Sequence, residues 1–193
     1  MNGAGAQVCH VVSETEHPSE GERDLLLRAR IGDRSALERL LACHERPLYN
    51  LCLRILCHSE DAEDAVQDTY LRAISAIGRF RGDASICTWL TRIAVRVCLD
   101  RTRRRRDATP LDEAPPRALK LPSAESAVIG RILLDQALRA LPIRQRTVLL
   151  LKEWRGWSVP EIAEALGCKP RRVNTELASA RHALSEWLLS CEK

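Results

Sequence analysis

Hydrophobic residues recur along most of this chain at spacings of three and four positions, which places them on one face of an α-helix. The stretch after residue 60 shows this most clearly, because its small and apolar residues share one face: Ala62, Val66, Thr69, Ala73 and Ile77. The acids Asp61, Asp64 and Asp68 share another face. No segment alternates apolar and polar residues with a period of two, so we predict an all-α fold.

The same spacing predicts helices on both sides of this stretch. One helix begins at Ser19 or Glu20 and ends near Gly32, and Asp33 is a candidate N-cap for the next. We expect Pro47 to interrupt or restart that second helix, because proline lacks the backbone N–H that a helix interior uses.

A loop over residues 78–85 precedes a further helix, from about Ile86 to Arg106. In that helix the packing positions are Leu90, Ile93, Ala94 and Val97. The outward positions include Arg92, Arg96 and Arg103, so a basic face follows the acidic face of the preceding helix. Two oppositely charged faces suggest two charged partners, one basic and one a polyanion.

Residues 109–122 contain four prolines and few packing residues, which is typical of a linker. We therefore predict a disordered N-terminus over residues 1–18, a helical domain over 19–108, the linker over 109–122 and a second helical domain over 123–193.

The second domain contains a helix-turn-helix pattern. Ser158 and Glu161 have the spacing of a capping box, with Pro160 in the first turn, and Gly167 ends that helix. The helix from Pro170 has a regular apolar stripe: Val173, Leu177, Ala180, Leu184 and Trp187. Its opposite face holds arginines and short hydroxyls, which suit the major groove of DNA. The alternative is an ordinary helical hairpin with a solvated face.

Composition narrows the class of protein. The 193 residues include 30 Lys and Arg against 26 Asp and Glu, so the net charge of +4 does not by itself indicate nucleic-acid binding. No signal peptide or membrane span is evident, and we expect a reduced, cytoplasmic protein whose eight cysteines form no disulfides. The pairs Cys9-His10, Cys43-His44 and Cys57-His58 lack zinc-site spacing, and no catalytic triad can be assembled. We predict no metal, no cofactor and no enzymatic activity.

Three segments together resemble the extracytoplasmic function (ECF) sigma factors, which are promoter-specificity subunits of bacterial RNA polymerase. DAEDAVQDTYLRA, then RFRGDASICTWLTRIA and an arginine run, resemble their domain 2. LPIRQRTVLLLKEWRGWSVPEIAEALGCKPRRVNTELASARHAL resembles their domain 4. The resemblance implies binding to the polymerase core through the β′ clamp helices and the β subunit, recognition of promoter DNA, and control by an anti-sigma factor.

The resemblance also implies roles for individual residues. Those expected to bind polymerase are Asp61, Asp64, Gln67 and Asp68. Those expected at the −10 element, where the loop captures a flipped base, are Phe80, Arg81, Asp83, Ala84, Ser85, Trp89, Arg92, Arg96 and Arg103. Those expected at the −35 element are Arg171, Arg172, Asn174, Thr175, Ser179 and Arg181. From the residues alone, Trp89 is expected to pack in the core, and the alternative is that a base stacks on its ring.

The chain departs from the family at several of these positions. Arg96 stands where the family commonly has Asn, and Arg171 and Arg172 stand where it usually has Gly-Thr. Glu176 places an anion where a phosphate-binding cation is usual. The alternative function is a stand-alone, dimeric helix-turn-helix regulator, which would leave the acidic face without a partner.

Overall fold

The structure is a computed structural model that describes residues 20–108 and 135–191. The chain is all-α, and no strand occurs within those two ranges. The N-terminal bundle consists of α1 (Glu20–Arg30), α2 (Arg34–Leu56), α3 (Ser59–Ala76), a 3₁₀ turn (Ile77–Arg79) and α4 (Ile86–Ala108). The C-terminal bundle consists of α5 (helical over residues 135–140), α6 (Ile143–Leu149), a π-helical segment (Leu150–Trp154), α7 (Val159–Leu166) and α8 (Pro170–Cys191).

In the N-terminal bundle α2 is the central helix, and it packs against α1, α3 and α4. The predicted core face of α3 is buried from Ala62 to Ile77. Cys52 of α2 and Cys98 of α4 are completely buried, as small apolar residues would be. The free thiols include Cys43, Cys52, Cys57, Cys87, Cys98 and Cys168.

The expected break at Pro47 is wrong, because α2 runs unbroken with the proline inside it. Leu41 on one side of the proline and Leu48 on the other are both buried against the same core. An interior proline costs a helix about 3 kcal/mol, whereas each fully buried leucine contributes about 1.5–3 kcal/mol. Burial of leucines on both sides therefore outweighs the missing hydrogen bond.

Local capping signals give the observed helix starts and stops. Asp33 is the N-cap of α2, and its Oδ1 accepts a hydrogen bond from the Ala36 backbone N–H at 3.0 Å. Ser158 and Glu161 form the predicted capping box at the start of α7. Gly167 ends α7 in the left-handed conformation, with φ of 60°. These three predictions are confirmed.

In the C-terminal bundle α8 packs against α6 and α7, so α7, the turn at residues 167–169 and α8 form the predicted helix-turn-helix. Val173, Leu177 and Ala180 of its apolar stripe are buried, while Leu184 and Trp187 are half-buried. The predicted N-terminus over 1–18, the predicted linker over 109–122 and residues 123–134 of the predicted second domain lie outside the described residues.

The part of the chain that the structure describes has no helix long and apolar enough to cross a membrane. Within the same residues, no group of three or more His, Cys, Asp or Glu side chains is placed to hold a metal ion.

Candidate protein and nucleic-acid interfaces

The acids of α3 lie against α4 rather than on a separate surface. Arg101 donates to Asp68 Oδ2 at 2.6 Å and to Asp64 Oδ2 at 2.5 Å, and Arg105 Nη1 donates to Asp61 Oδ2 at 3.0 Å. The sequence suggested that the acidic and basic faces serve different partners, but here part of each neutralises the other. A partner at this edge of α3 meets carboxylates that already have cationic partners.

A neighbouring stripe of α3 is exposed to solvent. Gln67, Leu71 and Ile74 are spaced by four and three residues, which places them on one helical face, and all three are exposed. The exposed fraction is 65% for Leu71 and 50% for Ile74. An apolar stripe with an amide at one end suits a protein partner better than solvent. Sequence analysis selected Gln67 and missed Leu71 and Ile74. Both are apolar residues outside the core stripe of α3, and that position could have identified them as exposed.

The loop between α3 and α4 is held on the bundle by an aromatic pair. Phe80 is buried, and its ring lies 5.2 Å from the ring of Trp89, centroid to centroid, at an angle of 54°. Trp89 itself is half-buried. The Ser85 hydroxyl accepts a hydrogen bond from the Thr88 backbone N–H at 3.0 Å and so begins α4. Arg81 and Asp83 are exposed, so they are the loop's accessible polar side chains, while Phe80 anchors the loop.

The first half of the basic face of α4 contacts the C-terminal bundle. Arg92 Nη1 donates to Glu164 Oε1 at 2.9 Å. Arg96 Nε donates to the Ala165 carbonyl oxygen at 3.0 Å, and its Nη2 to the Glu164 carbonyl oxygen at 3.3 Å. Those carbonyls belong to the last turn of α7, where the helix dipole favours a cation. Arg103, farther along α4, is exposed.

The outer face of α8 is exposed to solvent. Every residue predicted to read DNA there is exposed: Arg171, Arg172, Asn174, Thr175, Ser179 and Arg181. These residues begin next to the turn of the helix-turn-helix, at the end of α8 that enters a major groove in this motif. The arrangement can bring guanidinium, amide and hydroxyl donors to base edges and phosphates.

Two acidic side chains form ion pairs with arginines of this face. Glu176 lies between Arg144 Nε at 3.9 Å and Arg172 Nε at 3.8 Å. Arg181 Nη2 donates to Glu153 Oε1 at 2.7 Å. The anion at position 176 therefore lies beside cations rather than alone among them, and it draws Arg172 toward the side of α8 that faces α6.

Arg146 joins the two bundles from a buried position. Its guanidinium donates to the carbonyl oxygens of Leu138 and Ile55, both at 2.6 Å, and lies 2.8 Å from Cys57 Sγ. Further donations reach carbonyl oxygens near the end of α5. Burial raises the pKa of the Cys57 thiol, and the nearby guanidinium opposes that rise. One side chain therefore binds the C-terminal end of α2 and the C-terminal end of α5.

A second contact between the bundles follows the π-helical segment. Arg155 Nη2 donates to the Pro47 carbonyl oxygen at 3.2 Å. The guanidiniums of Arg155 and of Arg54 in α2 both lie over the Trp154 ring, 5.1 Å and 4.9 Å from its centroid. Sequence analysis identified neither Arg146 nor Arg155, because an arginine is expected at the surface unless a partner is known.

Comparisons with known proteins agree on one family. The model described as Sigma-70 region 2 matches residues 40–108, and the model described as Sigma-70, region 4 matches residues 131–184. The chain is 35% identical over 182 residues to the ECF RNA polymerase sigma factor SigM of Mycobacterium tuberculosis, covering 93% of this chain and 91% of that protein.

Solved structures share the fold. CnrH, solved in complex with the cytosolic domain of CnrY, matches with a TM-score of 0.62 and 26% identity over 89% of this chain and 99% of that one. The sigma factor RpoE from Bartonella quintana, solved with the anti-sigma factor NepR, matches with a TM-score of 0.60 and 22% identity over 78% of this chain and 95% of that one.

Proposed function

Because the chain belongs to the ECF family of RNA polymerase sigma factors, we propose how its two bundles divide the work of promoter recognition. The N-terminal bundle acts as sigma domain 2, docks on the polymerase core and opens the −10 element. The C-terminal bundle acts as sigma domain 4 and reads the −35 element. The strongest support is the outer face of α8, whose six predicted DNA-reading residues are all exposed on a helix-turn-helix.

Docking on the β′ clamp helices uses the exposed stripe of α3. Gln67, Leu71 and Ile74 supply an amide and two apolar side chains, and a desolvated apolar centre is where interfaces gain most of their affinity. Asp61, Asp64 and Asp68 form the rim of this contact. Because these acids are already paired with Arg101 and Arg105, they tune the rate of docking more than its strength.

At the −10 element we assign direct contacts to Arg81, Asp83, Arg92 and Arg96. Phe80 and Trp89 hold the loop in place for a flipped base, because Phe80 is buried and packs on Trp89. Ala84 and Ser85 form the start of α4 next to that site. Arg103 contacts the DNA backbone, since a guanidinium on an exposed helical face binds phosphate without base specificity.

At the −35 element α8 enters the major groove. Arg171 and Asn174 lie near its first turn and reach base edges, while Arg172 and Arg181 bind phosphates. Thr175 and Ser179 add hydroxyl contacts along the same face. Glu176 steers Arg172 through the carboxylate contact already described.

We further propose an anti-sigma factor as a regulatory partner and the cytoplasm as the site of action. CnrH and RpoE were each solved bound to a second protein. Exposed apolar residues of α1, of the turn after it and of α3 offer such a partner a surface: Leu27, Ile31, Leu71 and Ile74. The alternative of a dimeric operator-binding regulator is not favoured.

The test is run-off transcription with purified polymerase core, this protein and genomic fragments that include its own upstream region. We expect a specific transcript with the wild-type chain. Gln67→Arg should abolish it, because the new cation faces the basic surface expected on the clamp helices. Leu71→Asp should do the same by placing a charge in the apolar centre of the contact.

The matched control is Ser35→Arg, which adds the same charge to an exposed position of α2 in the same bundle. This variant should transcribe normally. Equal activity in Gln67→Arg and wild type would refute the docking surface. Tight binding of the free protein to a duplex operator, with no transcript from any fragment, would instead support the regulator.

A further inference from the structure

We propose that Arg144 of α6 is a further promoter-contacting residue, and that Glu176 holds it together with Arg172 as a two-arginine clamp on the DNA backbone beside the −35 element. The inference adds a residue to the six of α8 already assigned, and it rests on the proposed role of α8 in the major groove. Sequence analysis did not select Arg144, because this residue belongs to α6 rather than to the helix-turn-helix.

Two guanidiniums meet at one oxygen of the Glu176 carboxylate. Arg144 Nε lies 3.9 Å from Glu176 Oε1, and Arg172 Nε lies 3.8 Å from the same atom. Arg144 is in the first turn of α6 and Arg172 is in the first turn of α8, and these two helices pack on each other. One carboxylate therefore gathers cations from two helices at the end of α8 that enters a groove in this motif.

Burial separates the atoms that this cluster uses internally from those that remain for a ligand. The Glu176 side chain is 20% exposed, whereas the Arg144 and Arg172 side chains are 37% and 58% exposed. Arg144 Nε is buried and has no hydrogen-bond partner among the described residues, so the nearby carboxylate offsets its charge. Because both guanidiniums approach Glu176 with Nε, the donors at their Nη ends are left for another anion.

The chemistry of the cluster fits a phosphate of duplex DNA. A guanidinium binds a phosphate through two parallel N–H donors, which is the geometry that its Nη ends provide. Arg144 lies at the side of α8 rather than on its outer face, so it meets the strand backbone and not the base edges. Two cations against one anion leave the cluster positive, so it still attracts DNA.

The Glu176 carboxylate has two opposite effects on DNA binding. As a charge it repels phosphates, so its removal alone should tighten binding. As a positioning group it keeps both arginines in place before DNA arrives, so its removal should weaken binding. In the proposed clamp the second effect is the larger, and the sign of the change in affinity therefore tests the role of Glu176.

The first measurement is the salt dependence of holoenzyme binding to a labelled duplex of the promoter found by run-off transcription, followed by fluorescence anisotropy. Arg144→Ala should lower the salt slope by about 0.9, so that a rise from about 50 to about 200 mM salt costs it about 3.5-fold less affinity than it costs wild type. Arg144→Lys should keep the wild-type slope, because an ammonium also binds phosphate. The control Arg139→Ala removes an exposed arginine of α5 and should leave the slope unchanged.

The second measurement uses the same assay at one salt concentration. Glu176→Gln should weaken promoter binding by about two- to five-fold, the range for an exposed ion pair. When Arg144→Ala and Arg172→Ala are both present, Glu176→Gln should instead tighten binding, because only the repulsion of phosphates is left to remove. The control Glu186→Gln, at an exposed position near the far end of α8, should leave the affinity unchanged in both backgrounds.

Two results would overturn the proposal. A wild-type salt slope in Arg144→Ala would show that Arg144 binds no phosphate. Unchanged or tighter binding by Glu176→Gln in the otherwise wild-type chain would show that the carboxylate does not position the arginines. The proposed function is scored separately: if Arg171→Ala with Asn174→Ala leaves promoter binding and transcription intact, the −35 assignment of α8 fails. If that variant is inactive while Arg144→Ala keeps the wild-type slope, only the clamp fails.

Discussion

Removing the buried guanidinium of Arg146 should destabilise the chain more than any surface substitution. The side chain is 8% exposed, and its three buried acceptors are the carbonyl oxygens of Leu138, Ile55 and Leu141. A hydrogen bond to a charged donor contributes about 1.5–3 kcal/mol, so three would sum to about 4.5–9 kcal/mol if none were replaced. Water entering the cavity of an alanine variant satisfies part of this, and we expect Arg146→Ala to lose about 3–5 kcal/mol.

The loss is measured by urea unfolding followed by tryptophan fluorescence. Trp89 reports on the N-terminal bundle, and a variant with phenylalanine at Trp154, Trp157 and Trp187 isolates its signal. Because Arg146 bonds to both bundles, its removal should lower the midpoint seen by Trp89 as well. Arg146→Lys should restore only part of the stability, since an ammonium cannot reproduce the planar fork of donors.

The control is Arg139→Ala, which removes an exposed arginine from α5 of the same bundle. We expect that change to stay within about 0.5 kcal/mol of wild type, as is usual for surface positions. If Arg146→Ala and Arg139→Ala gave the same unfolding curve, Arg146 would not bear the buried hydrogen bonds assigned to it. If only the C-terminal bundle lost stability, the bond from Arg146 to α2 would be refuted, while its bonds within the C-terminal bundle would stand.

Two further predictions concern the helix-turn-helix. Ser158→Ala should lower the stability of the C-terminal bundle by about 1 kcal/mol, the usual loss for an N-cap, as read from thermal unfolding. The Ser158 hydrogen bonds lower the pKa of the Glu161 carboxyl below its ordinary value of 4.5. The stability that they contribute is therefore complete above pH 4.5 and is lost as the pH falls through the lowered pKa of the folded chain. The Ser158→Ala variant should lose less stability on acidification than wild type. Arg172→Ala should reduce the salt slope of holoenzyme binding to promoter DNA by about 0.9, the value for one phosphate contact, and an unchanged slope would show that Arg172 binds none.

Local sequence signals were sufficient for most helix boundaries. The caps at Asp33, Ser158 and Gly167 involve side chains and backbone within a few residues of each other, so a short window contains the whole interaction. The break expected at Pro47 failed because burial of leucines on both sides of the proline outweighed its local preference.

Contacts between distant helices could not be predicted from the chain alone. Arg101 and Asp68 are 33 residues apart, and their pairing depends on how α3 packs on α4. From the sequence, the acids of α3 and the arginines of α4 looked like two separate charged faces. In the folded chain they meet along one edge, where they partly neutralise each other. Arg146 and Ile55 are 91 residues apart, and nothing near Arg146 distinguishes it from a surface arginine.

The π-helical segment carries a consequence for insertions and deletions. In this segment the Arg155 backbone N–H donates to the Leu150 carbonyl, five positions back rather than four, so the turn accommodates one residue more than a regular helix. Each helical residue advances the direction of side chains by about 100°. Deleting one residue between Leu150 and Trp154 would restore the regular turn and swing Trp154 and Arg155 away from α2. The register of this single turn thus sets which way the C-terminal bundle faces. Relatives in which that bundle is oriented differently should differ by one residue in the length of this segment.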